Sequence, residues 1–438
     1  MRAERGLREF VFVAAPKVLA GVSSVGINLL LLRYFRPEGF GLYALCLAAI
    51  NIVDAVLGTA VDMAVMRLAP PLRDKDPAHC LAIQKAALYL KAAATCALCL
   101  LVALFASAIS QVLFHERGHT QLLYMTCLAI LALMLLRSAQ AQMQIESRFE
   151  LYGLLEFLQM TLKFGGIGIF LLLDRVTPAV LVAFFAIGPG ATALLWMMSR
   201  GRVVLASAFP ERKLLLELLH YVKWFLLTFS VAALVARIDV FLVSTWSSVH
   251  EAGIFSAGQT FAIIPQLIGT YLAVVLSPRV MPYMQQGVLM SFFRRFQTVM
   301  IASAILVYVA AALTLPQLGP WLLPAKFVAA QRVILFLLPG TLAGFVTFPL
   351  TITVVMFLRP QFLVAMDCIA LPIALVLYHR YIPAYGAVGA ACVTSAICVI
   401  KAATAQAVAW SSVRPAAEHS VATPVALEQI CMEEGKSL

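Results

Sequence analysis

Long apolar segments, separated by short charged or Pro/Gly-containing breaks, fill almost the whole sequence. A helix needs roughly 20 mostly apolar residues to cross the hydrocarbon core of a bilayer. Spans are predicted at 10–34, 41–68, 84–112, 121–143, 151–173, 178–198, 220–246, 252–276, 296–315, 331–357, 361–379 and 386–410. We therefore expect an all-α polytopic membrane protein with about twelve transmembrane helices and no separate soluble domain.

The composition agrees with a bilayer as the solvent of this chain. Hydrophobic residues make up 62% of the sequence and charged residues 12%, whereas soluble domains are about 45–50% apolar and about 25% charged. The net charge of +11 does not indicate nucleic-acid binding, because the basic residues are scattered and form no patch interleaved with aromatic residues.

The basic residues fall mostly in every second loop, which is the cytoplasmic excess typical of multi-pass proteins. This side holds Arg2, Arg5, Arg8, Arg73, Lys75, Lys85, Arg148, Arg200, Arg202, Arg212, Lys213, Arg279, Arg294 and Arg295. The opposite loops hold only Arg33, Arg36, Arg117, Arg175, Lys326, Arg332 and Arg380. Both termini are therefore predicted to be cytoplasmic.

A short sequence echo relates the two halves of the chain. Pro37-Glu38-Gly39-Phe40-Gly41-Leu42-Tyr43-Ala44 aligns with Val249-His250-Glu251-Ala252-Gly253-Ile254-Phe255-Ser256, and each copy follows a long apolar span. Carriers built from structural repeats show such internal similarity. We expect a six-helix bundle over 1–198, a cytoplasmic linker at 199–219, a second six-helix bundle over 220–410, and a disordered tail at 411–438.

Polar side chains form stripes along four of the predicted spans. The stripes are Lys17, Gly21, Ser24 and Asn28 in the first span, and Asn51, Asp54, Gly58 and Asp62 in the second. They are Ser230, Ala233, Arg237 and Ser244 in the seventh, and Ser256, Gln259, Gln266 and Thr270 in the eighth. Each set follows the spacing of one helical face.

Two interpretations of these stripes are open. Gly, Ser and Gln are typical of helix–helix contacts in membranes. Charged residues at membrane depth are costly and usually face a bundle interior or a wet cavity, which favours the cavity for Lys17, Asp54, Asp62 and Arg237.

Two further polar groups lie in the first half. Lys163 shares a face with Glu156 and Gln159 and either lines the cavity or extends its ammonium to the cytoplasmic surface. Arg137, Gln140, Gln144 and Arg148 share a face at a cytoplasmic helix end, where a solvated surface is favoured.

Motifs of the common enzyme classes are absent from the sequence. It contains no P-loop, no G-x-S-x-G and no H-E-x-x-H. Cys96-x-x-Cys99 lacks a second pair or a nearby His, so no zinc site is predicted. We expect a carrier and not an enzyme, without a cofactor other than a coupling H⁺ or Na⁺.

The first echo, together with the preceding Leu29-Leu30-Leu31-Leu32-Arg33-Tyr34-Phe35-Arg36, resembles the first-loop signature of the polysaccharide transporter family. That family includes O-antigen flippases and belongs to the multidrug/oligosaccharidyl-lipid/polysaccharide (MOP) flippase superfamily. Arg237-Ile238-Asp239-Val240-Phe241-Leu242 with the second echo is similar to the second-half counterpart. Tyr385-Gly386-Ala387-Val388-Gly389-Ala390-Ala391 resembles the usual start of the last span.

The resemblance implies a MATE-like pair of six-helix bundles around a central cavity in the bacterial inner membrane. It implies a flippase that moves an undecaprenyl-diphosphate-linked oligosaccharide by alternating access, for O-antigen, capsule or exopolysaccharide synthesis. Its partners would be the lipid-linked substrate, membrane lipids, a polysaccharide polymerase and glycosyltransferases. The alternatives are an organic-cation antiporter of the multidrug class and a flippase for a peptidoglycan lipid precursor.

The predicted substrate-binding residues divide by chemistry. Lys17 and Arg237 would attract the lipid diphosphate, and carboxylates at Asp54, Asp62 or Asp239 would hold a coupling ion. The remaining predicted cavity residues are Ser24, Asn28, Lys163, Gln259, Gln266 and Thr270.

Overall fold

A computed structural model describes residues 19, 21–73, 75–285, 289–358 and 360–419, and within these ranges the chain is helical and contains no strand. The first helices are α1 (21–34), α2 (Pro37–Leu68), α3 (Pro77–Leu104, continued by Ala106–Phe114) and α4 (Thr120–Ile145). Then come α5 (Phe149–Leu172), α6 (Pro178–Ala206), α7 (Arg212–Trp246) and α8 (Val249–Ala262, continued by Ile264–Gln285). They are followed by α9 (Leu289–Leu322) and α10 (Ala330–Thr347, continued by Phe348–Ile352 and Thr353–Leu358).

The final helical stretch, Pro360–His419, is broken at Gly386, whose φ of 55° and ψ of −134° are not helical. We label the part before Gly386 α11 and the part after it α12. Gly tolerates this backbone conformation because it has no Cβ. The break separates the two spans that the sequence places at 361–379 and 386–410.

Nine helical stretches in the described ranges are long and apolar enough to cross a membrane, and the last of them, Gln361–Ser411, contains both α11 and α12. Large apolar side chains on these helices point outward: Leu306 is 69% exposed, Leu313 68% and Val376 70%. Exposed apolar surface of this extent indicates contact with lipid. The prediction of an all-α, multi-pass membrane protein is confirmed.

Local sequence explains how α2 begins and where it is distorted. Pro37 occupies the first helical turn, where a missing N–H costs nothing, and Arg36 before it is extended. Asp54–Thr59 then forms a π-helical segment in mid-helix, a form that is often found at functional sites. The helix ends at Leu68, before Pro70 and Pro71.

Contacts divide the chain into two compact units, and the first comprises Met1–Thr260, Trp321–Val333 and Leu375–Ala390. One buried cluster in this unit joins α2, α3 and α7 through Val61, Val65, Ile83, Leu218 and Val222. A second joins α2, α4 and α6 and includes Ile50, Ile130, Met134 and Ala186. A third, formed by Ala139, Met143, Tyr152 and Trp196, joins α4 to α5 and α6.

Helix α7 contacts first-half helices at both of its ends. Near its start, the Arg67 guanidinium of α2 lies 4.6 Å from the ring centroid of Tyr221. Near its end, the Ser244 hydroxyl donates to the Leu113 carbonyl at 2.6 Å, and the His115 ring lies 2.6 Å from the Ser244 carbonyl.

The second unit comprises Phe261–Pro320, Ile334–Ala374 and Ala391–Leu438. Its buried cluster joins α8, α9, α10 and α12 through Val280, Phe293, Leu350, Val354 and Ala409. A buried polar group, Gln297 with Thr351 and Gln406, links α9, α10 and α12, and Thr351 donates to the Gln406 side-chain carbonyl at 2.6 Å.

The predicted domain boundaries differ from the helix boundaries in three places. Helix α6 extends to Ala206, inside the predicted linker. Helix α7 begins at Arg212, inside the predicted linker at 199–219, and residues 411–419 of the predicted disordered tail are helical. Residues 420–438 lie outside the described ranges. The division into two bundles at the linker stays a prediction.

Candidate substrate-binding and coupling residues

Asp62 in α2 forms an ion pair with Lys91 of α3, which sequence reasoning did not identify. The Lys91 ammonium also lies 3.5 Å from the Ser138 hydroxyl of α4. The Lys91 side chain is 1% exposed and that of Asp62 is 20% exposed. This pair therefore places two opposite charges together in the interior of the first unit.

Asp54, eight residues before Asp62 in α2, forms a second ion pair. The Arg137 Nε donates to one carboxylate oxygen at 2.8 Å and a terminal guanidinium nitrogen donates to the other at 2.6 Å. Such two-pronged contacts are the strongest that Arg makes with carboxylates. The expectation of a solvated helix end at Arg137 was wrong, because the α2 carboxylate holds its guanidinium.

Amide side chains extend this pair from α4 to α5. Arg137 donates to the Gln140 side-chain carbonyl at 3.3 Å, and the Gln140 amide donates to Glu156 at 2.5 Å. The other Glu156 oxygen accepts from Gln159 at 3.2 Å. Asp54, Arg137, Gln140, Glu156 and Gln159 therefore form one continuous polar network.

Lys163 lies next on the same face of α5 as Glu156 and Gln159. Its ammonium is 4.4 Å from the ring centroid of Phe164 and 4.6 Å from that of Phe185. No hydrogen bond or ion pair is found for this half-buried ammonium among the described residues. Cation–π contacts stabilise a cation only in part, and the Glu156 carboxylate on the same face adds an electrostatic attraction.

Arg237 and Asp239 lie near the middle of α7 and differ in their surroundings. Asp239 is fully buried, and one of its oxygens accepts from the Val240 backbone N–H at 2.8 Å. Arg237 is half-buried, and within the described part of the chain its guanidinium has no hydrogen bond or ion pair. Among the described residues, Arg237 is thus a second intramembrane cation, after Lys163, that contacts no carboxylate.

The other predicted site residues are neutral or lie elsewhere. Asn28 accepts a hydrogen bond from the Tyr43 hydroxyl at 3.4 Å, and Ser24 is half-buried on the same helix. Gln259 is half-buried in the first unit, whereas Gln266 and Thr270 lie in the second, where Thr270 donates to the Gln266 backbone carbonyl at 3.0 Å. Lys17 lies outside the described residues.

A family model described as "Polysaccharide biosynthesis protein" matches residues 30–303, which is more than half of the 438 residues. The chain belongs to this polysaccharide biosynthesis protein family. The match includes both copies of the echo, and the predicted family is confirmed. No match to this chain is found among curated proteins.

Solved structures similar to this polysaccharide biosynthesis family member are MOP-superfamily proteins. The lipid II flippase MurJ in its inward closed conformation gives a TM-score of 0.73 at 12% identity. The aligned region covers 94% of this chain and 91% of the MurJ chain. An inward-facing MATE multidrug transporter gives a TM-score of 0.68 at 11% identity, and the alignment covers 94% of this chain and 99% of the transporter. A MOP transporter from Pyrococcus furiosus gives a TM-score of 0.55 at 12% identity, and the alignment covers 95% of this chain and 96% of the transporter. At these identities the likeness concerns the fold, and the predicted MOP fold is confirmed.

Proposed function

We propose that this protein flips an undecaprenyl-diphosphate-linked oligosaccharide across the bacterial inner membrane by alternating access. The product would enter the synthesis of O-antigen, capsule or exopolysaccharide. Membership in a polysaccharide biosynthesis family supports a glycan cargo. The MOP fold, shared with a lipid II flippase, supports transport of a lipid-linked sugar.

The balance of intramembrane charge carries the proposal. Asp54 and Asp62 each contact a cation, whereas Arg237 and Lys163 contact no carboxylate among the residues that the structure describes. An unpaired cation at membrane depth is costly, and such residues usually mark a substrate or ion path. A diphosphate supplies the missing negative charge.

The chemistry of the two cations suits a phosphate ligand in different ways. A guanidinium offers N–H donors in a planar fork that matches two phosphate oxygens, whereas an ammonium acts as a point charge. In our proposal Arg237 orients the diphosphate and Lys163 and Lys17 add attraction. Ser24, Asn28, Gln259, Gln266 and Thr270 then offer hydrogen bonds to the sugar hydroxyls.

The two ion pairs argue against binding of an organic cation at Asp54 or Asp62. A cationic drug requires a carboxylate that is free to contact it. Asp54 is held by two guanidinium hydrogen bonds and Asp62 by the buried Lys91. Releasing either carboxylate for a drug leaves a cation buried without a partner, which is strongly unfavourable.

Coupling to an ion gradient is a separate part of the proposal. Asp54, Asp62 and Asp239 are the carboxylates assigned to a coupling H⁺ or Na⁺. Binding of the ion at Asp54 or Asp62 would displace Arg137 or Lys91 and would meet the same cost as a cationic drug there, so the displaced cation would need another partner. The same proposal includes the cytoplasmic position of both termini, the two six-helix bundles, and contacts with a polymerase or glycosyltransferases.

Substitution of Arg237 tests the proposed function. A hydrogen bond to a charged group contributes about 1.5–3 kcal/mol, so we expect Arg237→Ala to lower export of lipid-linked sugar at least about tenfold. Arg237→Lys keeps the charge and should retain part of the export. The measurement is surface polysaccharide per unit of protein in the membrane.

Arg332→Ala provides the matched control, because Arg332 is exposed in the first turn of α10, and export should not change. Full export with both Arg237 variants would remove Arg237 from the mechanism. Loss of protein from the membrane in Arg237→Ala, but not in Arg237→Lys, would indicate a structural role instead.

A further inference from the structure

The two copies of the sequence echo contact each other, and they do so through their glycines. A Cβ added to Gly41 of α2 would lie 2.3 Å from the Val249 carbonyl oxygen of α8. A Cβ added to Gly253 of α8 would lie 1.9 Å from the Pro37 carbonyl oxygen of α2. Real Cβ atoms do not approach backbone oxygens so closely, so only glycine fits at both positions.

These contacts are reciprocal in the way that a two-fold axis requires. In the alignment of the echoes, Pro37 is equivalent to Val249 and Gly41 to Gly253. The first residue of each copy contacts the glycine of the other, which is the pattern of an isologous interface between symmetric subunits. An approximate two-fold axis therefore passes between the starts of α2 and α8.

A hydrogen-bonded pair of side chains lies at the same axis. Glu38 and His250 are equivalent residues, and the His250 Nδ1 lies 2.7 Å from a Glu38 carboxylate oxygen. Residues close to a two-fold axis contact their own equivalents. Because both side chains are about half exposed, this bond adds at most about 1 kcal/mol.

Neighbouring segments of the first unit join the same end of the helix pair. The Ala387 backbone N–H at the start of α12 donates to Glu251 at 2.9 Å. Lys326 donates to the Arg33 carbonyl at the end of α1 at 2.8 Å. The ring of Phe327, next to Lys326, packs edge-on against Phe40 with centroids 5.9 Å apart. The helix contact is thus part of a larger closed cluster.

We propose that the two echo copies form a latch on the exterior side, which is shut in this structure and must part when cargo leaves. The latch consists of residues 37–41 and 249–253. The distribution of basic residues assigns these positions to the exterior. Backbone atoms in direct contact leave no path for a sugar between α2 and α8, so exit there requires the two helix starts to separate. The inference rests on the proposed alternating access.

A reducible cross-link tests whether the latch moves during export. Glu38→Cys and His250→Cys are combined and joined by a short bis-methanethiosulfonate reagent in intact cells. A protease site inserted at 207–211, between α6 and α7, reports linkage because only linked halves stay together after cleavage. We expect the linked protein to export no more polysaccharide than cells without it, and a reductant to restore export.

Each single Cys variant treated with the same reagent is the control and should export normally. Unchanged export by fully linked protein would overturn the proposal, because the latch would then stay shut throughout transport.

A second measurement detects opening of the latch in the absence of cargo. Ala252, in the α8 copy, is fully buried, so Ala252→Cys should react with a membrane-impermeant maleimide only when the latch parts. We expect slow labelling of this variant and labelling at least about tenfold faster after Gly41→Ala, because the new Cβ pushes Val249 away. Gly118→Ala is the matched control, since nothing lies within 4 Å of a Cβ at Gly118.

The two measurements separate the latch from the proposed function. No labelling of Ala252→Cys over the whole time course, or no acceleration by Gly41→Ala, would overturn the latch whatever the protein transports. Accelerated labelling in a protein that moves no lipid-linked sugar would keep the latch and reject the glycan cargo. If Gly41→Ala fails to fold, two other variants replace it. Glu38→His alone should accelerate labelling of Ala252→Cys. The exchange of Glu38→His with His250→Glu should leave that labelling slow.

Discussion

Replacing Lys91 by Met should lower the free energy of unfolding of this protein by about 3 kcal/mol. Lys91 is 1% exposed and its ammonium contacts the Asp62 carboxylate. Removing one partner of a buried ion pair leaves the other charge without compensation, and that costs more than the pair itself contributes. Met fills nearly the same volume as Lys, so the packing of α3 against α2 should be kept.

Thermal unfolding in detergent measures this effect, and the double variant separates charge from packing. Asp62→Leu combined with Lys91→Met removes both charges and should recover most of the lost stability, as buried ion pairs replaced by apolar side chains often do. Lys213→Met, at an exposed position at the start of α7, should leave the unfolding temperature unchanged. If Lys91→Met were as stable as the parent protein, Asp62 would not depend on Lys91 for its charge.

Replacing Gly386 by Ala should destabilise the protein by about 1–3 kcal/mol. The φ of 55° at Gly386 is unfavourable for a residue with a Cβ, and an added Cβ would lie 2.6 Å from the Glu251 carboxylate. That carboxylate accepts the Ala387 N–H at the start of α12, where a negative charge is favoured by the helix dipole. The substitution therefore disturbs both the backbone break and the bond that begins α12.

Gly168→Ala is the control for this prediction, since a Cβ at Gly168 meets nothing within 4 Å and the residue lies inside α5. There the change should be neutral or slightly stabilising, because Ala is the better helix former. Equal unfolding temperatures for Gly386→Ala and the parent protein would contradict the account of the helix break.

Hydropathy alone predicted most of the fold, because the length of a spanning helix is set by the bilayer. Residues 151–173 were predicted as a span and α5 covers Phe149–Leu172. The start of α7 was predicted less well, since helix α7 begins at Arg212 and the apolar stretch only at about 220. Its first two turns are amphipathic, with Leu218 buried and Glu217 exposed, and a search for apolar runs does not detect them.

The candidate site was only partly predictable for a different reason. Helical spacing identifies which residues share a face, and it placed Asp54 and Asp62 on one face of α2. It does not identify the neighbouring helix, so Lys91, 29 residues from Asp62, and Arg137, 83 residues from Asp54, were not recognised as partners. Similarly, the echo suggested a repeat, but only coordinates show that its two copies meet at Gly41 and Gly253.

The central claim is that this protein moves a lipid-linked diphosphate sugar across a bilayer, and reconstitution tests it most directly. The purified protein is placed in vesicles that contain a polyprenyl-diphosphate oligosaccharide, and arrival of the sugar at the opposite leaflet is followed with an impermeant lectin or glycosidase. We expect movement with the parent protein and with Arg332→Ala, and movement at least about tenfold slower with Arg237→Ala. Movement of an organic cation by the same vesicles, with no movement of the lipid-linked sugar, would contradict the account.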